Sequence, residues 1–234
     1  MLEVENINAY YSQFQAIKDV SIRVEDGELV SIFGPNGHGK STLLKAICGL
    51  IPIASGSVRW NGEDITKLSS LRLVELGIVY IAEDRHLFPQ MTVKGNLLLG
   101  SYNKNAREKE AENLDYVFSL FPRLREWQER KAETLSGGEA RMLAIGRGLM
   151  SNAKFLAIDE PSFGLAPHLR KDVFHKIGEI NKSGISILLV EQNVAESSYL
   201  ADRIYLMEDG NIVYEGNRDE AMNDEHVKQI YLGA

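Results

Sequence analysis

The sequence predicts an α/β fold: a parallel sheet covered on both faces, short antiparallel strands at the N-terminal end, and an inserted helical lobe at residues 84–151. Three observations carry this reading. Residues 155–158, "FLAI", and 185–190, "ISILLV", are near-continuous apolar runs, as in strands buried on both faces, and the helix-like residues 169–181 separate them. Short strand-like runs punctuated by Asn-Gly and Asp-Gly turns occupy residues 2–65 and return after residue 202. Between these regions, apolar positions recur at helical spacing in a charged background.

Taken in order, "LEVENINAYY" at residues 2–11 reads as the first strand, and residues 21–34 hold two runs separated by Asp26-Gly27. Residues 55–65 read as a strand pair around Asn61-Gly62. Residues 106–120 predict a single helix that puts Leu114, Val117 and Phe118 on one face. Pro122 ends it, because a missing N–H and a ring clash stop propagation. A second helix follows Ser136 as "GGEARMLAIGRGLM", and residues 203–216 form a last strand pair around Asp209-Gly210.

The chain's 234 residues can bury a sizeable core, and 44% hydrophobic with 25% charged residues is ordinary for a globular protein. A net charge of −7 argues against general electrostatic binding of nucleic acid or of an anionic membrane surface. The single cysteine, Cys48, excludes an intrachain disulfide and, beside Ile47 in an apolar helical pattern, reads as a small buried hydrophobe. The first residues lack a signal-peptide pattern, and no apolar run approaches the ~20 residues that span a bilayer. The expectation is a soluble, cytoplasmic chain that reaches a membrane only through another protein.

Residues 34–42 read G-P-N-G-H-G-K-S-T, the G-x-x-x-x-G-K-[ST] phosphate loop, between a strand ("ELVSIF") and a helix ("STLLKAICGL"). Gly34, Gly37 and Gly39 permit backbone shapes that turn consecutive N–H groups inward, and the helix N-terminus favours an anion. The loop residues Gly34, Pro35, Asn36, Gly37, His38, Gly39, Lys40, Ser41 and Thr42 are thus the candidate nucleotide cradle. Lys40 would meet the β- and γ-phosphates of ATP, and the Ser41 hydroxyl would ligate Mg²⁺. His38 fills a variable position, so its side chain is expected outside the cradle. The chemistry also needs a carboxylate at the end of a buried strand, and "KFLAIDEP" provides one. Asp159 would partner Mg²⁺, directly or through water, and Glu160 would accept a proton from an attacking water. The bland alternative is an Asp-Glu pair capping the next helix.

"LSGGE", Leu135–Glu139, reads locally as a capping box in which Ser136 and Glu139 satisfy each other's orphan donors. Two glycines inside such a box cost helix propensity, and they make sense where a phosphate must approach the backbone. With this motif and the two before it, the chain resembles the ATP-binding cassette ATPases, P-loop enzymes with a mixed sheet, and the resemblance covers essentially its whole length. It implies that two ATPase subunits close head-to-tail over two nucleotides, as a homodimer or with a sister ATPase. Ser136, Gly137, Gly138 and Glu139 would then complete the partner's site. It also implies that Tyr11, or its neighbour Tyr10, stacks on adenine. Glu83 stands where the family usually carries a glutamine that touches Mg²⁺ and the attacking water, the bland alternative being an ion pair with Arg85. Gln192, in "LLVEQN", stands in place of a histidine that contacts the γ-phosphate. It can donate through its amide but cannot take up a proton near neutral pH. Ala166 replaces a frequent aspartate, and Ala140 a usual glutamine.

"PSFGLAP", "LLVEQN", "FSLFPRL" and the terminal "YLGA" resemble one branch, the second ATPase subunit of branched-chain amino acid importers, with urea-type importers as close relatives. The implied function is ATP hydrolysis that drives transport through permease subunits, and indirectly a substrate-binding protein, at the inner face of the membrane. Nucleic acid is not an expected partner. Rival readings are a non-transport cassette ATPase, a small-molecule kinase and a regulatory nucleotide-binding protein. Against them stand "LSGGE", Glu160, the acidic balance, and the absence of zinc-type cysteines or a coiled-coil insertion.

Overall fold

The computed structural model describes residues 1–223; the terminal "YLGA" lies outside them. The N-terminal strands β1 (Leu2–Tyr11) and β2 (Phe14–Val24) form a long antiparallel hairpin. β4 (Ser55–Trp60) pairs with the other edge of β1, and β5 (Glu63–Asp64) turns back on β4 at Asn61-Gly62. These four strands make one sheet in the order β2-β1-β4-β5. Asp26-Gly27 is a turn as expected, but it passes the chain from this sheet to the other one, where β3 (Leu29–Phe33) begins.

The second sheet has the order β10-β9-β3-β8-β7-β6. Its members are β3, β6 (Ile78–Ile81), β7 (Phe155–Asp159), β8 (Ser186–Glu191), β9 (Arg203–Glu208) and β10 (Asn211–Asn217). All pair in parallel except β10, which runs antiparallel to β9 through the Asp209-Gly210 turn, so the sheet is mixed. Alternation along the strands explains their unbroken apolar runs. Leu156, Ile158, Ile187 and Leu189 enter one buried cluster, while Phe155, Ala157, Leu188 and Val190 enter the other. The second cluster lies between the two sheets and includes α1 (Lys40–Ile47), where Cys48 is buried as expected, its thiol pushed up to about 12 by that burial.

The remaining helices are α2 (Ser70–Leu76), α3 (Val93–Leu98), α4 (Lys104–Glu108), α5 (Glu110–Leu120), α6 (Pro122–Glu126), α7 (Gly137–Leu149), α8 (Pro167–Lys182), α9 (Val194–Ser197) and α10 (Arg218–Asn223). The single helix expected over residues 106–120 is instead two. Asn103 caps α4, and the chain leaves helical geometry at Lys109, so α5 starts afresh. Pro122 follows the end of α5, but it also opens α6, where its missing N–H breaks no intrahelical bond. Leu97, Val117, Phe118, Leu124, Leu143 and Ile145 pack in the same cluster as Leu156 and Ile158, so the helical region and the sheet share one core. α7 runs through it, with Leu143, Ile145 and Leu149 buried. Each such side chain contributes roughly 1.5–3 kcal/mol of apolar burial, which fixes the helix against the strand ends that carry the polar site.

Candidate functional site

β3, β8 and β7 are parallel neighbours, with Phe33 opposite Glu191 and Asp159 opposite Val190, so their C-terminal ends lie side by side. The loops that leave a parallel sheet at this edge are where ligands meet such folds. Here they carry Gly34–Thr42, Glu160–Ala166 and Gln192-Asn193, with Glu83 on the loop after the next strand, β6.

Lys40 starts α1 with its side chain buried. Its Nζ donates to the carbonyls of Gly34 (2.9 Å) and Pro35 (3.1 Å) and lies 3.3 Å from Glu160 Oε1. Next to it, Ser41 Oγ donates to Asp159 Oδ1 (2.8 Å), while Tyr80 OH donates to Asp159 Oδ2 (2.7 Å). Both oxygens of Asp159 are therefore oriented from two elements, α1 and β6. Glu160 has φ +40°, a left-handed conformation that costs a non-glycine residue of order 1–3 kcal/mol and is found chiefly at functional sites.

The loop itself is tightly drawn. A side chain on Gly34 would sit 2.2 Å from the Met207 carbonyl of β9, so only glycine fits there. Gly39, at φ +103°, opens α1 without a side-chain cap, leaving its first N–H groups without that partner. Asn36 and Gly37 are exposed at the crest of the loop, and Thr42 is half-buried in the first turn. His38 faces the β9–β10 turn: its Nδ1 accepts from Asp209 N–H (2.9 Å) and its carbonyl from Gly210 N–H (3.0 Å).

Around this centre acidic groups crowd one another. Burial, then the charges of Glu160 and Asp159, hold the Glu83 carboxyl above the usual carboxylate range. Glu191, fully buried, accepts from Ser162 N–H (3.0 Å), Ser162 Oγ (2.9 Å) and Gln192 N–H (3.3 Å). Burial nevertheless pushes it up to about 7, aided by Glu160 and opposed by those hydrogen bonds. Arg141 of α7 donates to the carbonyls of Ala82 (2.9 Å), Glu83 (2.6 Å) and Glu160 (3.4 Å). A recess of about 400 Å³ opens beside Glu160, lined also by Ser162, Gly164, Arg170 and Gln192.

The structure thus brings Lys40, Ser41, Asp159, Glu160 and Glu83 together. It sets Gln192 exposed at the tip of β8 and Tyr11, with Tyr10, exposed at the end of β1. Ser136 and Glu139 form the expected capping box at the start of α7, bonded to each other. A side chain on Gly138 would press on Leu169 at 3.2 Å, whereas one on Gly137 would make ordinary contact with Leu165 at 3.4 Å. In the Glu83 loop His86 Nε2 lies 2.9 Å from Asp84 Oδ1, and among the described residues no ion pair joins Glu83 to Arg85. Sequence reasoning missed Tyr80, Glu191 with Ser162, and Arg141. A lone polar residue in the apolar runs "IVYI" and "LLVE" marked the first two; Arg141, in an amphipathic helix, gave no signal.

A family model described as ABC transporter matches residues 17–163, more than half of the chain. The chain belongs to the ABC transporter family. This cassette ATPase is 42% identical over 233 residues to the high-affinity branched-chain amino acid transport ATP-binding protein BraG of Pseudomonas aeruginosa, with 100% of both chains covered. It is 31% identical over 237 residues to the lipopolysaccharide export system ATP-binding protein LptB of Escherichia coli, with 99% and 97% covered. Its cassette fold matches the ADP conformation of an ATP-binding cassette of an ABC transporter with a TM-score of 0.85 at 33% identity, covering 100% and 99%. It also matches a dimeric, post-hydrolysis cassette bound to ADP and Pi with a TM-score of 0.77 at 25% identity, covering 93% and 99%.

Proposed function

We propose that this ATPase powers an importer of branched-chain amino acids, pairing head-to-tail with a second ATPase subunit and docking on permease subunits. The convergence of Lys40, Ser41, Asp159 and Glu160 carries the hydrolytic part. The cargo rests on full-length similarity to BraG, and the dimer on the dimeric cassette. Among the described residues no helix is long and apolar enough to cross a membrane.

The β- and γ-phosphates of ATP sit in the Gly34–Thr42 loop and draw Lys40 away from Glu160, while Tyr11 stacks on adenine. Glu160, released from that cation, takes a proton from water as the water oxygen bonds to the γ-phosphorus and the bond to the ADP oxygen breaks. Gln192 donates its amide to the γ-phosphate. Ser136, Gly137 and Gly138, ordered by Glu139, present the α7 N-terminus to the other subunit's nucleotide. Ser41, Asp159 and Glu83 are hard oxygen donors of the kind Mg²⁺ takes. When bound, Mg²⁺ would offset phosphate charge.

Residues 84–151 act as the coupling lobe between the two parts of the nucleotide-binding core, 1–83 and 152–234. Next to Glu83 a cavity of about 400 Å³, lined by Tyr80, Arg85, Phe88, Leu99 and Tyr102, supports permease docking there. ATP drives the cycle by binding the closed dimer better than the open one. Purification from native membranes tests this reading: permease subunits should accompany the chain, and ATP turnover in the reconstituted complex should rise with leucine, isoleucine or valine and their binding protein. A complex that responds instead to another solute or to a lipid would replace the cargo.

A further inference from the structure

Two arginines of α7 hold the loop that carries Glu83. Arg147 donates to the carbonyls of His86 (2.8 Å) and Arg85 (2.9 Å), and Arg141 to those of Ala82 (2.9 Å) and Glu83 (2.6 Å). Arg141 reaches further, to the Glu160 carbonyl at 3.4 Å, so one guanidinium spans the backbones of both carboxylates assigned to hydrolysis. It is wholly buried, and its Nε has no hydrogen-bond partner.

A buried guanidinium bonded to carbonyls is an expensive way to pack a helix, and an apolar side chain of similar volume would usually fold as well. Burial first, then Arg85, pull its guanidinium down to about 10, opposed by Glu191, Glu83 and Asp159, so it stays a cation near neutral pH. Apart from Arg141, the fully buried cation at these acidic groups among the described residues is Lys40, 3.3 Å from Glu160, and phosphates compete for Lys40. The same helix begins at Ser136, one turn before Arg141, where the capping box fixes the N-terminus.

We propose that Arg141 is a positioning residue for hydrolysis. It holds the backbone at Glu83 and Glu160 in register and balances their charge, from the helix whose first turn faces the second subunit's nucleotide. The proposal rests on the hydrolytic roles assigned above to Glu83 and Glu160.

The test uses the full-length chain, with ATP turnover, equilibrium binding of a fluorescent ATP analogue and thermal unfolding measured on Arg141→Met and Arg141→Lys. Arg141→Met should lower kcat at least ~10-fold while KM and analogue affinity stay within about twofold, because Lys40 and its loop are untouched. Arg141→Lys keeps the cation but not the planar fork that reaches three carbonyls, so it should recover turnover in part, above Arg141→Met and below the starting chain. Unchanged turnover in Arg141→Met overturns the proposal. So does a loss of binding in step with turnover that Arg141→Lys fails to relieve, since that is the behaviour of a packing residue. If Arg141→Met does not fold, Arg141→Gln, which keeps one amide donor, takes its place with the same expectation. Glu160→Gln, run in parallel, separates the two layers: if it turns over normally, the hydrolytic reading fails; if it is inactive and Arg141→Met is not, only the positioning role fails.

Discussion

Lys40 Nζ and Glu160 Oε1 lie 3.3 Å apart with both side chains buried, a pair that joins the first turn of α1 to the end of β7. The cation suited to phosphates and the carboxylate suited to water thus neutralise each other. On the proposed reading, a phosphate that takes up Lys40 would free Glu160 at the moment a base is needed, so that binding and activation become one event.

Lys40→Met should separate these roles. It leaves Glu160 a buried carboxylate without its cation and removes the donor shared by the Gly34 and Pro35 carbonyls. Breaking a buried pair from one side costs about 3–5 kcal/mol, which urea unfolding would read as a lower midpoint. Analogue titration should show ATP affinity reduced at least ~100-fold, the loss of one strong charge-assisted contact.

Glu160→Gln preserves shape but not basicity. Hydrolysis should fall about 10²–10⁴-fold, the usual range for losing general base help, while ATP binding persists. ATP-bound dimers should then accumulate in size-exclusion runs. Turnover equal to that of the unaltered chain would falsify the base role.

Glu191 predicts a pH dependence of stability. Its folded-state value, about 7, lies above the ordinary glutamate value of 4.5, so the folded chain binds the extra proton between those limits. The contribution to stability is fully present below about pH 4.5 and is lost as pH rises through 7, by about 3 kcal/mol in all. Glu191→Gln, neutral at every pH, should flatten that part of the curve in urea unfolding from pH 5 to 8. An unaltered slope would show that Glu191 stays ionised.

Gln192→Ala should lower kcat about 10–100-fold, the loss of one hydrogen bond to a charged group, about 1.5–3 kcal/mol. Its side chain is exposed in this form, so thermal unfolding should not move. A kcat equal to that of the unaltered chain would remove Gln192 from the γ-phosphate.

Much of the molecule was legible in one dimension because the signals are local. The phosphate loop, the capping box at Ser136 and the apolar runs of β7 and β8 each follow from neighbours in sequence. The break at Lys109 was not legible, because the charged run 107–112 holds no glycine or proline to mark it and the apolar face at Leu114, Val117 and Phe118 lies wholly beyond it. Nor was the sheet change after Asp26-Gly27, since a turn signal fixes a bend and not the partner beyond it.

What the sequence determined by itself is the chemical inventory: a cradle for phosphates, a carboxylate pair at a strand end and a signature turn on a helix. Tertiary structure decided how these groups are balanced. Asp159 is oriented by Ser41 and Tyr80, Glu191 is buried against Ser162, and Arg141 crosses from α7 to the carbonyls of Glu83 and Glu160. The reason is physical: charge is a long-range quantity in a poorly screening interior, so the state of each carboxylate depends on groups far away along the chain that only the packed sheet and helices bring within reach.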